Sequence, residues 1–306
     1  MIKPISFSIY KFFGFIGILF ILSLSSKLLS SYFVYSDGLF STYLRIDPAK
    51  KRVFIIGSSR VNLGMDTSVL KNRIKDSRFI IIGLSSNSFL YNSRLAYKII
   101  QKASPGDLVF FELSIAKLLP PNYYLFIYSS TDLVSVVKQY IYSMPLTLFY
   151  TGELIRYLFS IDGLPGVIQQ YINRDHPSFG FTSSTVRFQG NTESIITEND
   201  LNNLPKSNQK SDFEFNMILQ NLIKMAASKK IRLIFVLPVT INKPVEKRID
   251  LINFHSIPNE NKWRYSSNFL TKINNVDYLS DPNHLNSFGA ALYTHELADF
   301  ILQLDK

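Results

Sequence analysis

Two short segments, far apart in the sequence, carry side chains that together could perform acyl chemistry. The first is Ile55-Ile56-Gly57-Ser58-Ser59-Arg60-Val61, in which an apolar run ends in glycine and two hydroxyls follow. A serine nucleophile is well held on the sharp turn after a parallel strand, because glycine lets the backbone bend and the next helix offers amide donors. The same pattern is also typical of an ordinary loop or a helix cap. It lacks the glycine spacing of dinucleotide and nucleoside-triphosphate sites.

The second segment runs from Leu279 to Gly289 and contains Asp281-Pro282-Asn283-His284. A carboxylate three residues before the histidine, in a loop stiffened by proline, can hold one imidazole nitrogen while the other remains available. A general base needs such a partner to fix its tautomer. A histidine just before a helix is otherwise a common capping or surface residue. The pairing predicts His284 as a general base oriented by Asp281, with one of the two hydroxyls of the first segment, Ser58 or Ser59, as the nucleophile.

The sequence predicts strands that alternate with helices, and these elements must bring the two segments together. Short apolar runs bounded by turn residues predict strands, and apolar spacing near three to four residues predicts helices. The predicted strands are Arg52–Ile56, Arg78–Ile82, Leu108–Leu113 and Ile231–Leu237, with Val276–Leu279 as a short fifth strand. The predicted helices are Asp66–Lys75, Asn87–Lys102, Asp212–Ser228 and Asn286–Leu304. This alternation predicts an α/β fold with a parallel sheet of about five strands covered by helices on both faces, and such folds place their sites at the carboxyl edge of the sheet.

Residues 1–44 predict a membrane anchor and a linker. The stretch Phe12–Leu24 has no charge, and apolar residues resume after Lys27, so the segment approaches the ~20 residues that cross a bilayer. Lys3 and Lys11 precede it, which favours a cytoplasmic N-terminus and places residues 45–306 outside the cytoplasm. A cleaved signal peptide is the main alternative, although no Ala-x-Ala-like cleavage site follows, and a buried helix is the third.

Composition excludes several classes of chemistry. The 306 residues are 46% apolar and 18% charged, which excludes wholesale disorder, and they include no cysteine, which excludes disulfides, thiolate metal sites and cysteine nucleophiles. Lys plus Arg exceed Asp plus Glu by 33 − 23 = 10, a surplus that suits anionic partners. The basic residues are dispersed, so we expect no nucleic-acid partner. We also expect no cofactor and no metal site, because the four histidines, His176, His255, His284 and His295, are too scattered for a ligand motif.

Residues 115–211 interrupt the alternation of strands and helices. This insertion is rich in Tyr, Phe and Leu, with helices predicted near Thr131–Tyr142 and Leu146–Phe159 and a polar region from Asp175 to Asn208. A connection this long between two core strands is typical of a functional lid or of an added, mostly helical subdomain. Its aromatic side chains could rest on a bilayer or a membrane partner, or form a second small core over the sheet edge.

Trp263 lies outside the insertion and is a candidate either for part of a sugar site or for an anchoring hydrophobe.

The two chemical segments, taken together, resemble the SGNH or GDSL-like hydrolase superfamily. Its members carry a Gly-Asp-Ser-like first block and an Asp-x-x-His last block on a flavodoxin-like sheet, and Gly57-Ser58-Ser59 and Asp281–His284 occur in that chain order. The resemblance implies Ser59 as nucleophile, His284 as base and Asp281 as its orienter. It also implies an oxyanion hole built from the nucleophile's amide, a second-block glycine, here Gly83, and a third-block asparagine.

The third block departs from the family pattern. The chain has Phe111-Glu112-Leu113-Ser114 where Gly-x-Asn-Asp is expected, which leaves Asn87 as a candidate for the missing donor. Arg60 stands where the family usually has leucine, so it is a candidate contact for an anionic substrate or a solvated turn residue.

An N-terminal anchor beside a Gly-Ser-Ser block is most similar to the envelope branch of this superfamily, which includes the D-alanyl transfer protein of teichoic acid synthesis and the alginate acetylation proteins. The resemblance implies a membrane-anchored serine esterase or acyltransferase that acts on acetyl or alanyl esters of an extracytoplasmic glycan or glycolipid. The alternative is a catalytically inactive protein of the same fold that binds an envelope polymer or a membrane-bound acyltransferase.

Overall fold

The computed structural model describes residues 13–25, 50–83, 89–113, 184–203 and 213–304. The described residues from 50 onward belong to one compact unit, and residues 13–25 belong to another. Residues 13–25 form a helix, with Phe13, Ile18 and Ile21 among its exposed apolar side chains. No helix within the described residues is both long and apolar enough to span a bilayer. The membrane anchor therefore stays a prediction, and the rest of its predicted segment lies outside the described residues.

A five-stranded parallel sheet forms the centre of the larger unit. Among the described residues its strands are β1 (Lys51–Gly57), β2 (Ser77–Gly83), β3 (Leu108–Glu112), β4 (Arg232–Val236) and β5 (Lys262–Trp263), in the spatial order β2-β1-β3-β4-β5. The central strands are apolar on both faces, and Val53–Ile56 of β1 are at most 1% exposed. Strands of this kind form when helices cover both sides of a sheet. The order is that of a flavodoxin-like doubly wound fold, which confirms the predicted α/β class.

Helices flank the sheet in two groups. Their bounds are α1 (Ser59–Gly64), α2 (Thr67–Arg73), α3 (Phe89–Lys102), α4 (Glu198–Asn202), α5 (Phe213–Ser228), α6 (Pro244–Ser256), α7 (Ser267–Ile273) and α8 (Ser287–Leu304). Helix α8 packs on α1, α2 and α7, whereas α3 packs on α5. The step from β1 to β2 runs across the sheet in the opposite direction to the later steps, so right-handed crossovers place α2 and α3 on opposite faces. The reversal lies between β1 and β3, where doubly wound folds bind their ligands.

The predicted fifth strand is wrong. Val276–Tyr278 is a 3-10 turn, and Leu279 begins β6 (Leu279–Asp281), which pairs antiparallel with β7 (His284–Leu285) outside the main sheet. The fifth strand is instead β5, whose two residues are buried although one of them is a lysine. Trp263 of β5 is 1% exposed and packs on Tyr265, Tyr293 and Phe300. It is therefore an anchoring hydrophobe rather than part of a sugar site.

The segment returning from the predicted insertion attaches to the loop that follows β4. The helices predicted at residues 131–142 and 146–159 lie outside the described residues. Residues 184–197 are mostly irregular and lead into α4, whose N-cap Thr197 forms a capping box with Asp200. Ile196 donates its backbone N–H to the carbonyl of Val239 at 2.8 Å, and Ile241 donates to Ser194 at 2.7 Å. These bonds fix the loop after β4, which in turn supports the histidine segment described below.

Candidate active site

The turn between β1 and α1 presents Ser59 at the carboxyl edge of the sheet. Strand β1 ends at Gly57, Ser58 is the N-cap of α1, and Ser59 is its first residue. Gly57 is required there, because an added Cβ would lie 2.2 Å from a carboxylate oxygen of Glu112 and 2.3 Å from a methyl carbon of Val61. The Ser58 hydroxyl accepts the N–H of Arg60 at 3.2 Å, and the Ser58 carbonyl accepts the N–H of Val61 at 3.1 Å. These hydrogen bonds lie within the turn and its helix, and neither of them uses the Ser59 hydroxyl, which remains for another partner.

That partner is His284, which lies 225 residues further along the chain. The Oγ atom of Ser59 is 2.7 Å from Nε2 of His284, and Nδ1 of His284 is 2.7 Å from Oδ2 and 2.9 Å from Oδ1 of Asp281. A carboxylate on Nδ1 favours the tautomer that carries its proton there, so Nε2 can accept the serine proton. Serine, imidazole and carboxylate therefore form the continuous chain that a serine nucleophile requires.

The loop that carries His284 is held at several points. The backbone N–H of Asn283 donates to Oδ1 of Asp281 at 2.7 Å. Thr240, in the loop after β4, donates its hydroxyl to the Asn283 carbonyl at 2.6 Å, and the N–H of Asn242 donates to Oδ1 of Asn283 at 3.1 Å. Asn286 then caps α8 through the N–H groups of Phe288 and Gly289, both at 3.1 Å. The histidine therefore sits in a short, internally bonded hairpin rather than on a free loop.

Ser58 faces a different group. Its backbone N–H donates to Oε2 of Glu112 at 2.5 Å, and its hydroxyl donates to Oε1 at 3.0 Å. Glu112 is the last residue of β3, the neighbour of β1, and it is 2% exposed. Burial raises the pKa of Glu112, an effect that the nearby Arg60 guanidinium and the two bonds from Ser58 partly offset. The Ser58 hydroxyl is thus engaged away from His284, which leaves Ser59 as the serine on the triad.

Arg60 connects the nucleophile turn to two other elements. Its Nη2 atom lies 3.3 Å from Oε1 of Glu246, near the start of α6, and 3.4 Å from Oδ1 of Asn283, beside the histidine. The side chains of Arg60 and Glu246 are 14% and 17% exposed. With 14% of its side chain exposed, Arg60 is not a solvated turn residue, and its predicted contact with an anionic substrate stays a prediction. Arg60 acts as a brace inside the protein.

Gly83 lies beside the same turn. It pairs in register with Gly57, and an added Cβ would lie 2.5 Å from the backbone nitrogen of Asn62 in α1. A side chain at this position would push α1 and its nucleophile away from the sheet. The close approach explains the glycine, and its predicted role as an oxyanion donor stays a prediction. Asn87, the other predicted donor, lies outside the described residues.

The structure brings together the three predicted triad residues and adds the buried Glu112, whose bonds to Ser58 the sequence analysis did not predict. A signal for it was present: the run Leu108-Val109-Phe110-Phe111-Glu112 ends a fully apolar strand on an acid at the edge where Ser59 was expected. No group of acidic or histidine side chains among the described residues is arranged to hold a metal ion. Of the other histidines, His255 lies on α6 and His295 on α8, away from the triad, and His176 lies outside the described residues.

Comparison with known proteins does not assign this site. No protein-family model matches the chain, and no curated protein resembles it significantly in sequence.

Proposed function

We propose that the protein is a serine ester hydrolase or O-acyltransferase of the SGNH type, with Ser59 as nucleophile, His284 as general base and Asp281 as its orienting carboxylate. The observation that carries the proposal is the chain of short contacts from Ser59 Oγ to His284 Nε2 and from His284 Nδ1 to Asp281. Surface serines and histidines seldom combine a matched base, an orienting acid and a position at the switch point of a doubly wound sheet.

The proposed reaction proceeds through an acyl-enzyme. Ser59 Oγ attacks the acyl carbonyl while its proton passes to His284 Nε2, and the resulting imidazolium is stabilised by Asp281. The protonated Nε2 then donates to the departing alcohol oxygen, which leaves the acyl group on Ser59. Water or an acceptor hydroxyl then attacks this ester while His284 accepts its proton. The bond from Ser59 Oγ to the acyl carbon breaks as protonated His284 returns the proton to Oγ, which releases the acid or the new ester and restores the free serine. The backbone amides of Ser59 and Gly83 are the proposed donors to the oxyanion.

The proposed substrates are small acyl esters, acetyl or alanyl, of an extracytoplasmic glycan or glycolipid. The sequence resemblance to envelope members of the superfamily and the apolar N-terminal segment support this choice. The same segment supports a membrane-anchored protein whose catalytic domain lies outside the cytoplasm.

The test is covalent labelling together with turnover. We expect Ser59→Ala to remove labelling by a serine-reactive fluorophosphonate and to lower hydrolysis of p-nitrophenyl acetate by about 10³-fold or more, with unchanged thermal unfolding. Ser58→Ala should keep the label, because its hydroxyl bonds to Glu112, although a looser turn should slow the reaction. Ser228→Ala, at the end of α5, serves as the unaffected control. Labelling that survives in Ser59→Ala contradicts the assignment.

A second candidate is a catalytically silent protein that binds an envelope polymer or a membrane acyltransferase. The observation that favours it is Glu112, since an acid stands where the family has an oxyanion donor. Ester turnover that disappears in His284→Ala, with folding retained, contradicts this second candidate. An inert wild-type protein that fails to react with the fluorophosphonate favours it.

A further inference from the structure

Glu112 is a buried acid without a role in the proposed proton transfers. Its carboxylate lies at the carboxyl end of β3 and contacts Ser58 twice, at the backbone N–H and at the hydroxyl. Within the described residues, no lysine or arginine nitrogen forms an ion pair with it. A buried acid costs free energy unless its partners compensate, so such a residue usually persists for a reason other than stability.

The position of Glu112 relative to the nucleophile supplies such a reason. Ser58 and Arg60 are the two chain neighbours of Ser59, and each is held by a different element. Glu112 of β3 holds Ser58, while Glu246 of α6 and Asn283 beside His284 hold Arg60. The backbone of Ser59 is therefore fixed on both sides, which limits the positions that its hydroxyl can take against Nε2 of His284.

The surroundings of Glu112 indicate that the carboxyl acts through the turn. It lines a small pocket together with Arg60, Val61, Val239, Leu285 and Tyr293. The triad side chains are not among the residues that line this pocket. Glu112 thus contacts the residue before the nucleophile and lines a pocket that the triad side chains do not, so it can position Ser58 without being one of the reacting groups.

We propose that Glu112 is a positioning residue of the active site: by accepting both hydrogen bonds of Ser58, it sets the turn that aims Ser59 at His284. This inference rests on the proposed function. It assigns to the acid the place that the family gives to an oxyanion donor, so the third block of this chain aligns the nucleophile rather than stabilising the oxyanion. A displacement of about 1 Å at a reacting atom can cost about 10²-fold in rate, so a loose turn should be visible in kcat.

The experiment compares two variants of Glu112 in the full-length protein. Glu112→Ala removes both acceptors and leaves the buried N–H of Ser58 without its bond. We therefore expect kcat to fall by about 10- to 100-fold, and KM to change by less than about threefold in either direction. Glu112→Gln keeps an oxygen acceptor for the N–H, and its amide can donate to the Ser58 hydroxyl. We therefore expect Glu112→Gln to recover kcat to within about fivefold of wild type.

The matched control is Asp107→Asn. Asp107 lies just before the other end of β3, is 3% exposed and pairs with Arg52, far from the triad. It controls for the loss of a buried carboxylate as such, and we expect lower stability with unchanged kcat per folded molecule. Equal losses of kcat in Glu112→Ala and Asp107→Asn contradict the positioning role.

Hydrogen exchange separates this inference from the proposed function. The peptide that contains the Ser58 amide should exchange faster in Glu112→Ala than in wild type, with Glu112→Gln close to wild type. Unchanged exchange and unchanged kcat in Glu112→Ala overturn the inference, as does a Glu112→Gln protein that fails to recover. If the wild-type protein turns over no ester, the proposed function fails, and exchange alone still decides whether Glu112 holds the turn.

Discussion

The two ends of the neighbouring strands β1 and β3 each bury an acid, and they treat it differently. At the amino end, Asp107 accepts bonds from Nε and Nη2 of Arg52 at 3.1 and 2.6 Å and from the backbone N–H of Arg52 at 3.0 Å. At the carboxyl end, the bonds that Glu112 accepts from the described residues are an N–H and a hydroxyl, both from Ser58. The first acid receives a guanidinium and a backbone donor, as a structural acid should. The second acid forms no ion pair with the described residues, and burial raises its pKa despite the nearby Arg60 guanidinium and the bonds from Ser58.

This contrast indicates that the two ends of one pair of strands serve different purposes, one for stability and one for the candidate site. The ion pair of Arg52 and Asp107 joins β1 to the loop before β3 where no chemistry is proposed. The bonds of Glu112 join the end of β3 to Ser58, the residue that follows β1 and precedes Ser59, at the switch point of the sheet. Changes at the amino end should therefore alter stability, and changes at the carboxyl end should alter turnover. Three further measurements test that separation.

The largest effect is expected at the triad, with Asp281→Asn. An asparagine can donate to Nδ1 of His284 and favour the wrong tautomer, and it cannot stabilise the imidazolium, so we expect kcat to fall by about 10²- to 10⁴-fold. Stability should change little, because the Asp281 side chain is 47% exposed. Ester turnover and thermal unfolding measure the two effects. Asp277→Asn, an exposed acid just before the same hairpin, is the control, and a similar loss of kcat there would contradict the specific role of Asp281.

The next effect is expected at the amino end, with Asp107→Ala. The variant leaves the guanidinium of Arg52 buried without its carboxylate, so we expect the free energy of unfolding to fall by about 3–5 kcal/mol. Asp299→Ala, which breaks the exposed pair with Arg73, should cost less than about 1 kcal/mol. Denaturant titration measures both, and active-site labelling reports kcat per folded molecule. If Asp107→Ala also lowers kcat per folded molecule by about tenfold or more, the amino end of the strands affects turnover as well as stability, which contradicts the proposed separation.

The triad was predictable because each part of it leaves a local signal. Glycine followed by two serines after an apolar run, and an acid three residues before a histidine, can be read from single segments, and parallel strands bring such segments to one edge. Trp263 and Lys262 were not predictable as the fifth strand, since a two-residue strand leaves no periodic pattern and begins with a charged residue. The hydrogen bonds of Glu112 depend on the register between β1 and β3, which the sequence pattern does not specify.

Local sequence patterns predict less about the apolar N-terminal segment and the insertion. The sequence predicts an anchor at Phe12–Leu24 from length and apolar character alone, and within the described residues no helix meets both requirements for spanning a bilayer. The residue types at 115–211 likewise leave several interpretations open, because aromatic side chains suit a small core, a lid and a membrane surface equally. The proximity of Ser59, His284 and Asp281 was easier to predict, since it depends on a few residues of fixed type at the ends of strands.

The smallest expected effect is the pH dependence of stability caused by Glu112. Burial raises the pKa of this carboxyl in the folded protein, with Arg60 and His284 as the charged or titratable groups that oppose the shift along with the bonds from Ser58. Between the unfolded pKa, near 4.5, and the higher folded pKa, the native state binds more protons than the unfolded state. The stability contributed by Glu112 is therefore fully present below the unfolded pKa and is lost as the pH rises through the folded pKa.

Glu112→Gln removes this titration and keeps the hydrogen bonds of the turn. We therefore expect the free energy of unfolding of the variant, minus that of wild type, to increase as the pH rises above about 4.5 and then to level off. Urea unfolding of both proteins across that range measures the difference. A difference that stays constant with pH means that the acid has the same proton affinity in both states. The carboxyl end of β3 would then be as well compensated as the amino end, and the contrast between the two buried acids would disappear.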